Sequence, residues 1–189
     1  MDAFLASILV VAVGEIGDKT QLLALVLAVR FRRPLPIVLG ILVATLANHA
    51  LAGALGTWVR SVVPVGYLRW LLAASFLAVA LWALKPDRHV GEDSVPPGRT
   101  GVFTATAIAF FFAEIGDKTQ IATMMLAAQF GNLIPVVAGT TLGMLIADIP
   151  VVYLGRAAGD RIPLAAVRVG AALLFVVMAV IALAIPQPT

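Results

Sequence analysis

The sequence predicts an all-α integral membrane protein: six transmembrane helices arranged as two inverted three-helix repeats. Three observations carry that fold class. They are a hydrocarbon-rich composition, six apolar segments of bilayer length, and an internal duplication with three spans in each copy. Of 189 residues, 61% are hydrophobic and 12% charged, and mean hydropathy is +1.04. A soluble domain is about half apolar and a quarter charged, so most of this chain is suited to lipid or to helix-on-helix packing.

The six segments fall at residues 3–29, 36–59, 66–84, 101–128, 133–155 and 163–185. Each is long enough for a hydrocarbon core of about 30 Å at ~1.5 Å per helical residue. The first follows MDAF, with an acid where a signal peptide carries positive charge, and is expected to be retained as a span. Short connectors with turn chemistry, RFRRPLP at 30–36 and GNLIP at 131–135, separate neighbouring spans. The longest polar stretch, KPDRHVGEDSVPPGRT at 85–100, reads as a cytoplasmic linker between a first repeat at 1–84 and a second at 101–189.

The duplication is explicit. A shift of 99 residues aligns EIGDKTQ at 15–21 with EIGDKTQ at 114–120, and the register holds without a gap. Phe31 then meets Phe130, Pro36 meets Pro135, Gly40 meets Gly139, Arg69 meets Arg168 and Phe76 meets Phe175. Apolar matches are cheap in such a composition, but seven identical residues containing three charges are not. Three spans per copy oblige the second copy to enter the membrane from the opposite side, the inverted-repeat plan of many secondary transporters.

Basic residues set the orientation. Arg30, Arg32, Arg33, Lys85, Arg88, Arg99, Arg156, Arg161 and Arg168 fall on one side, and only Arg60 and Arg69 on the other. The positive-inside rule puts the first set in the cytoplasm and both termini outside, in the inner or plasma membrane of a bacterium. The formal charge of +3 is thus a matter of topology and implies no nucleic-acid partner. The absence of cysteine excludes disulfides and thiolate metal sites. Nothing resembles a phosphate loop, and no prosthetic group is expected.

The duplicated heptapeptide places Glu15, Asp18, Lys19, Glu114, Asp117 and Lys118 inside apolar spans. At roughly 2.5–3.5 kcal/mol each, six unpaired charges would cost on the order of 15–20 kcal/mol, more than a typical fold's stability of about 5–15 kcal/mol. They must pair, protonate, reach water or bind a cation. Glu and Asp three apart share one helix face, with Lys beside them. Gln21 points away from Glu15 on a straight helix, but Gly14 and Gly17 permit local unwinding that would free backbone carbonyls. Two inverted copies then offer four carboxylates, with Gln21, Gln120, Thr20 and Thr119 oxygens nearby. Such oxygen donors suit Ca²⁺, Mn²⁺ and Mg²⁺, whereas zinc and copper sites recruit Cys or several His. Only His49 and His89 exist. Buried salt bridges between the first and fourth spans are the bland alternative, but they leave the surplus of acid unexplained.

E-x-G-D-K-T occurring twice, in two three-span halves joined by a hydrophilic loop, resembles the Gdt family of small membrane transporters. That family belongs to a calcium/cation antiporter superfamily, and its members are associated with Mn²⁺ and Ca²⁺ transport and proton exchange. The resemblance covers essentially the whole chain. It implies that Glu15, Asp18, Glu114 and Asp117 contribute to a cation site, with Lys19, Thr20, Lys118 and Thr119 as the remaining motif positions. It leaves Mn²⁺ and Ca²⁺ both open. The expected function is a divalent cation/proton antiporter that exports metal by alternating access.

Further polar residues lie in the second and fifth spans. His49 aligns with Asp148, and Asn48 with Ala147. Asp148 is a candidate for proton coupling or for supporting the site, and Asn48 for interhelical hydrogen bonding. Metal ion, protons and lipid bilayer are the expected partners, and the sequence permits a homo-oligomer. Two rival functions remain: a six-span exporter of amino acids or other small solutes, and an intramembrane aspartyl protease. The protease pattern G-x-G-D needs glycine at positions 15 and 114, where this chain has glutamate.

Overall fold

A computed structural model describes residues 2–85, 101–154 and 164–184. Among the described residues there are eight α-helices and no strand. The first half holds α1 (Ala3–Glu15), α2 (Lys19–Phe31), α3 (Pro34–Val62) and α4 (Val65–Ala83); the second holds α5 (Val102–Glu114), α6 (Lys118–Phe130), α7 (Leu133–Leu154) and α8 (Leu164–Ala184). Expected spans at 36–59, 66–84 and 133–155 correspond to α3, α4 and α7, and the span at 163–185 to α8, its end residues lying outside the described part. The linker beyond Lys85, with Arg88, His89 and Arg99, also lies outside it, as do Arg156 and Arg161.

The first and fourth expected spans need correction. Neither is one helix: residues 3–29 fold as α1 and α2, and residues 101–128 as α5 and most of α6. Each piece has 13 residues, a length of about 20 Å, short of a bilayer core on its own. Among the described residues, three helices are long and apolar enough to cross a membrane by themselves: Pro34–Val62, Gly66–Ala83 within α4, and Leu133–Leu154.

Local sequence explains the remaining ends. Asp2 caps α1 by accepting from Phe4 N at 2.8 Å. Arg32 closes α2 in the left-handed region (φ 52°), and its counterpart Gly131 closes α6 in the same way (φ 66°). Pro34 then opens α3, where a missing N–H costs nothing.

Packing comes in exchanged pairs. α3 lies against α5 and α7 against α1, while α4 pairs with α8 and α3 with α7. The correspondence reaches single residues. A methyl group on Gly40 would meet the Phe103 carbonyl and Thr106; one on Gly139 would meet the Phe4 carbonyl and Ser7. Phe4 and Ser7 stand 99 residues before Phe103 and Thr106, the same shift that relates Gly40 to Gly139. Small residues here let backbones approach closely, which matters where lipid removes most of the hydrophobic drive for helix association.

Two apolar clusters flank these contacts. One joins α4, α6 and α8 through Leu72, Phe76, Leu126, Phe175 and Met178. The other joins α1, α2, α3, α5 and α7 through Val11, Leu23, Ile41, Phe110 and Met144. Between them the broken ends of α1, α2, α5 and α6 bring buried charge together.

Candidate metal centre

The heptapeptide is a helix stop followed by a restart. Glu15 is the last residue of α1; Ile16 is extended (φ −61°, ψ 118°); Gly17 is left-handed (φ 79°); Asp18 is the N-cap of α2 (φ −83°, ψ 170°). Glu114, Ile115 (φ −60°, ψ 122°), Gly116 (φ 73°) and Asp117 (φ −79°, ψ 159°) repeat the path. Glycine adopts positive φ without the penalty a Cβ imposes, and aspartate is among the favoured N-caps. Asp18 accepts from Lys19 N at 2.7 Å, and Asp117 from Thr119 N at 3.3 Å.

Glutamine completes each break. Gln21 Oε1 accepts from Gly17 N, and Gln120 Oε1 from Gly116 N, both at 2.8 Å. This is a capping box displaced by one residue, in which the third helical position reaches back to an N–H the helix cannot satisfy. Gln21 Nε2 donates to the Ala147 carbonyl at 3.0 Å, and Gln120 Nε2 to Asn48 Oδ1 at 3.4 Å. The glutamines therefore brace the breaks and tie them to α7 and α3.

Breaking the helices brings the acids together. Glu15, Asp18 and Asp117 are buried, and each offers an oxygen within 4.8 Å of the other two. Oxygens on opposite sides of one Ca²⁺ stand at twice the metal–oxygen distance, about 4.6–5.2 Å, so these three fit around a single hard cation. Lysines cross between the motifs: Lys19 Nζ lies 3.0 Å from Asp117 Oδ1, and Lys118 Nζ 3.2 Å from Asp18 Oδ1. Four motif acids less two lysines leave a formal charge of −2, which a divalent cation cancels.

The two glutamates are placed differently. Glu15 Oε2 accepts from Thr20 Oγ1 at 2.5 Å, and its buried Oε1 takes no hydrogen bond among the described residues. Glu114 is held at both oxygens from α3: Thr45 Oγ1 donates to Oε1 at 2.6 Å and Asn48 Nδ2 to Oε2 at 3.2 Å. Asn48 Nδ2 also donates to the Phe111 carbonyl at 2.9 Å, in the last turn of α5. Thr119 Oγ1 donates to Asp117 Oδ2 at 3.1 Å and also lies within hydrogen-bonding reach of the Glu15 carboxylate across the two motifs. Asp148 and His49, at matching positions of α7 and α3, are buried with no hydrogen bond to their polar atoms among the described residues.

Thr45 escaped the sequence reading. Its signal was present: Thr45 and Asn48 lie three apart on α3, hence on one helix face, and the polar pair recurs nowhere at the matching positions Met144 and Ala147.

Interrupted helices whose ends gather charge are the build of ion-handling secondary transporters. A family model described as "Divalent cation/proton antiporter GDT1" matches residues 3–90 and 102–187. The chain belongs to that family of divalent cation/proton antiporters. Among its relatives, a protein of Vibrio cholerae described as "Putative manganese exporter" is 51% identical over 180 residues, covering 95% of this chain and 89% of that protein. A "GDT1-like protein" of Synechocystis sp. is 31% identical over 201 residues, with 96% of each chain covered. "GDT1-like protein 5" of Arabidopsis thaliana is 25% identical over 223 residues, covering 98% of this chain and 97% of its own. No solved structure matches the chain. Membership of a transporter family sets aside the protease and amino-acid-exporter readings.

Proposed function

We propose that this antiporter exports Mn²⁺ from the bacterial cytoplasm in exchange for protons, using one central site built from both motifs. The observation that carries the site is the meeting of Glu15, Asp18 and Asp117 within 4.8 Å, with the lysine of each motif paired to the aspartate of the other. The description of the Vibrio relative supports manganese as the cargo, and Ca²⁺ is the competing ion.

The chain forms six spans, α1 with α2 and α5 with α6 each crossing as one interrupted unit. Exchanged contacts support two inverted repeats, 1–84 and 101–189, joined by the linker 85–100. The start of α3 packs on the start of α5, and the start of α7 on the start of α1. Because α3 begins where α2 ends, this supports α1 and α5 running in opposite directions. Arg60 near the end of α3 donates to the Ala128 and Gln129 carbonyls near the end of α6, at 2.9 and 3.0 Å, as expected if both ends share the outer side. Exposed Leu51, Leu81 and Phe112 suit lipid.

Coupling follows from the donor set. A carboxylate that holds a proton cannot fully ligate a metal, so metal entry releases protons and proton entry releases metal. Lys19 and Lys118 offset the acids when no metal is bound, and rocking of one repeat against the other turns the site from cytoplasm to exterior. Asp148 lies within electrostatic reach of Glu15, Asp18 and Glu114, which suits a proton-coupling role. The test is Mn²⁺ uptake into everted membrane vesicles. Glu15→Gln is expected to abolish uptake driven by a proton gradient, and competition by Ca²⁺ ranks the two ions. Wild-type uptake in that variant would remove the site.

A further inference from the structure

The duplicated motif invites the assumption that its two glutamates do the same job. Their surroundings differ in a way that follows from four residues outside the motif. Thr45 and Asn48 of α3 donate to both oxygens of Glu114. Shifted by 99 residues, these positions become Met144 and Ala147 on α7, which carry no donor. Glu15 accordingly keeps one oxygen free of any hydrogen bond among the described residues, and the hydroxyls at its carboxylate, Thr20 and Thr119, belong to the two motifs and not to α7. A carboxylate with both oxygens occupied by donors from one helix has its orientation fixed, whereas one with a bare buried oxygen is poised for a cation.

We propose that Glu15 ligates the ion while Thr45 and Asn48 act as positioning residues that hold Glu114 outside its coordination shell in this conformation. The proposal rests on the central site described above and deepens it. Glu114 is absent from the trio whose oxygens converge within 4.8 Å, although Asp117, three residues on, belongs to it. Asn48 also receives the Gln120 amide at 3.4 Å and donates to the Phe111 carbonyl, so the clamp on Glu114 is continuous with the brace of the α5–α6 break. One consequence concerns the transport cycle. If alternating access simply exchanged the conformations of the two halves, Glu15 would have to be clamped as Glu114 is now. Met144 and Ala147 cannot do that, so the second state is not a mirror copy of the first.

The experiment is Mn²⁺ titration calorimetry on the purified full chain in lipid nanodiscs. Glu15→Gln is expected to weaken binding by at least about tenfold, the scale of a lost ligand or of its immediate support. Glu114→Gln, whose amide can still accept from Thr45, is expected to change it by less than about threefold. In a Thr45→Val, Asn48→Ala background Glu114 is released, and Glu114→Gln should then weaken binding by about fivefold or more, a coupling that independent sites do not show. Thr45→Ser, which keeps the hydroxyl, should behave as wild type, and a purely structural role for Thr45 predicts no such coupling. Equal weakening by Glu15→Gln and Glu114→Gln in the unaltered background overturns the inequality while leaving the metal site standing. Unchanged binding in both overturns the site and the inequality together.

Discussion

Gln21 and Gln120 occupy the third position of α2 and α6, and their amides reach back into the breaks. A backbone N–H left without a partner in a part-buried site costs roughly 1–3 kcal/mol. Gln21→Ala is therefore expected to lower unfolding stability by about that amount, read as denaturant or thermal unfolding in detergent. A variant as stable as wild type would show that water satisfies Gly17 N. The sequence marked these glutamines as oxygen donors near a cation, because an amide carbonyl suits that chemistry. Their use in the break was also legible, since Asp at the cap and Gln three positions later form a helix-start signature. That each Oε1 reaches a backbone N–H of the break is set by backbone path, which residue type alone does not reveal.

At the scale of the element, the break is what converts a costly row of charges into a cluster. On an unbroken helix Glu15 and Asp18 would share a face, but here the chain turns at Gly17 and Gly116, and acids from both motifs converge. Gly116 has open space where a Cβ would stand, so Gly116→Ala isolates the cost of positive φ from any clash. That cost is roughly 1–2 kcal/mol for an L-residue. The expected result is a stability loss of this size with transport reduced, measured by unfolding and by Mn²⁺ uptake on one preparation. If neither changes, the left-handed turn is not needed to hold the site. Glycine beside acid in an apolar stretch permits such a turn, whereas only the paired capping bonds show that both motifs take it.

For the whole molecule, exchanged contacts tie the halves into one unit: Gly40 on Phe103 and Thr106, Gly139 on Phe4 and Ser7, and two lysine–aspartate pairs across the centre. The proposed inversion carries a topological prediction. The chain has no cysteine, so a single introduced thiol reports its own side of the membrane. Asp2→Cys is expected to react with an impermeant maleimide added to intact cells, and Lys85→Cys only after permeabilisation. The reverse pattern would turn the molecule over and reverse the proposed direction of export relative to the basic loops.

The helical class, the duplication and the list of charged motif residues were determined by the sequence alone, because hydropathy and a repeated seven-residue string are local or additive properties. Which acids converge, which glutamate is clamped and what the glutamines bind were decided only by tertiary structure. Those outcomes depend on α3 meeting the break between α5 and α6, and α7 the break between α1 and α2. There a difference of two residues, Thr45 and Asn48 against Met144 and Ala147, makes unlike partners of two identical motifs.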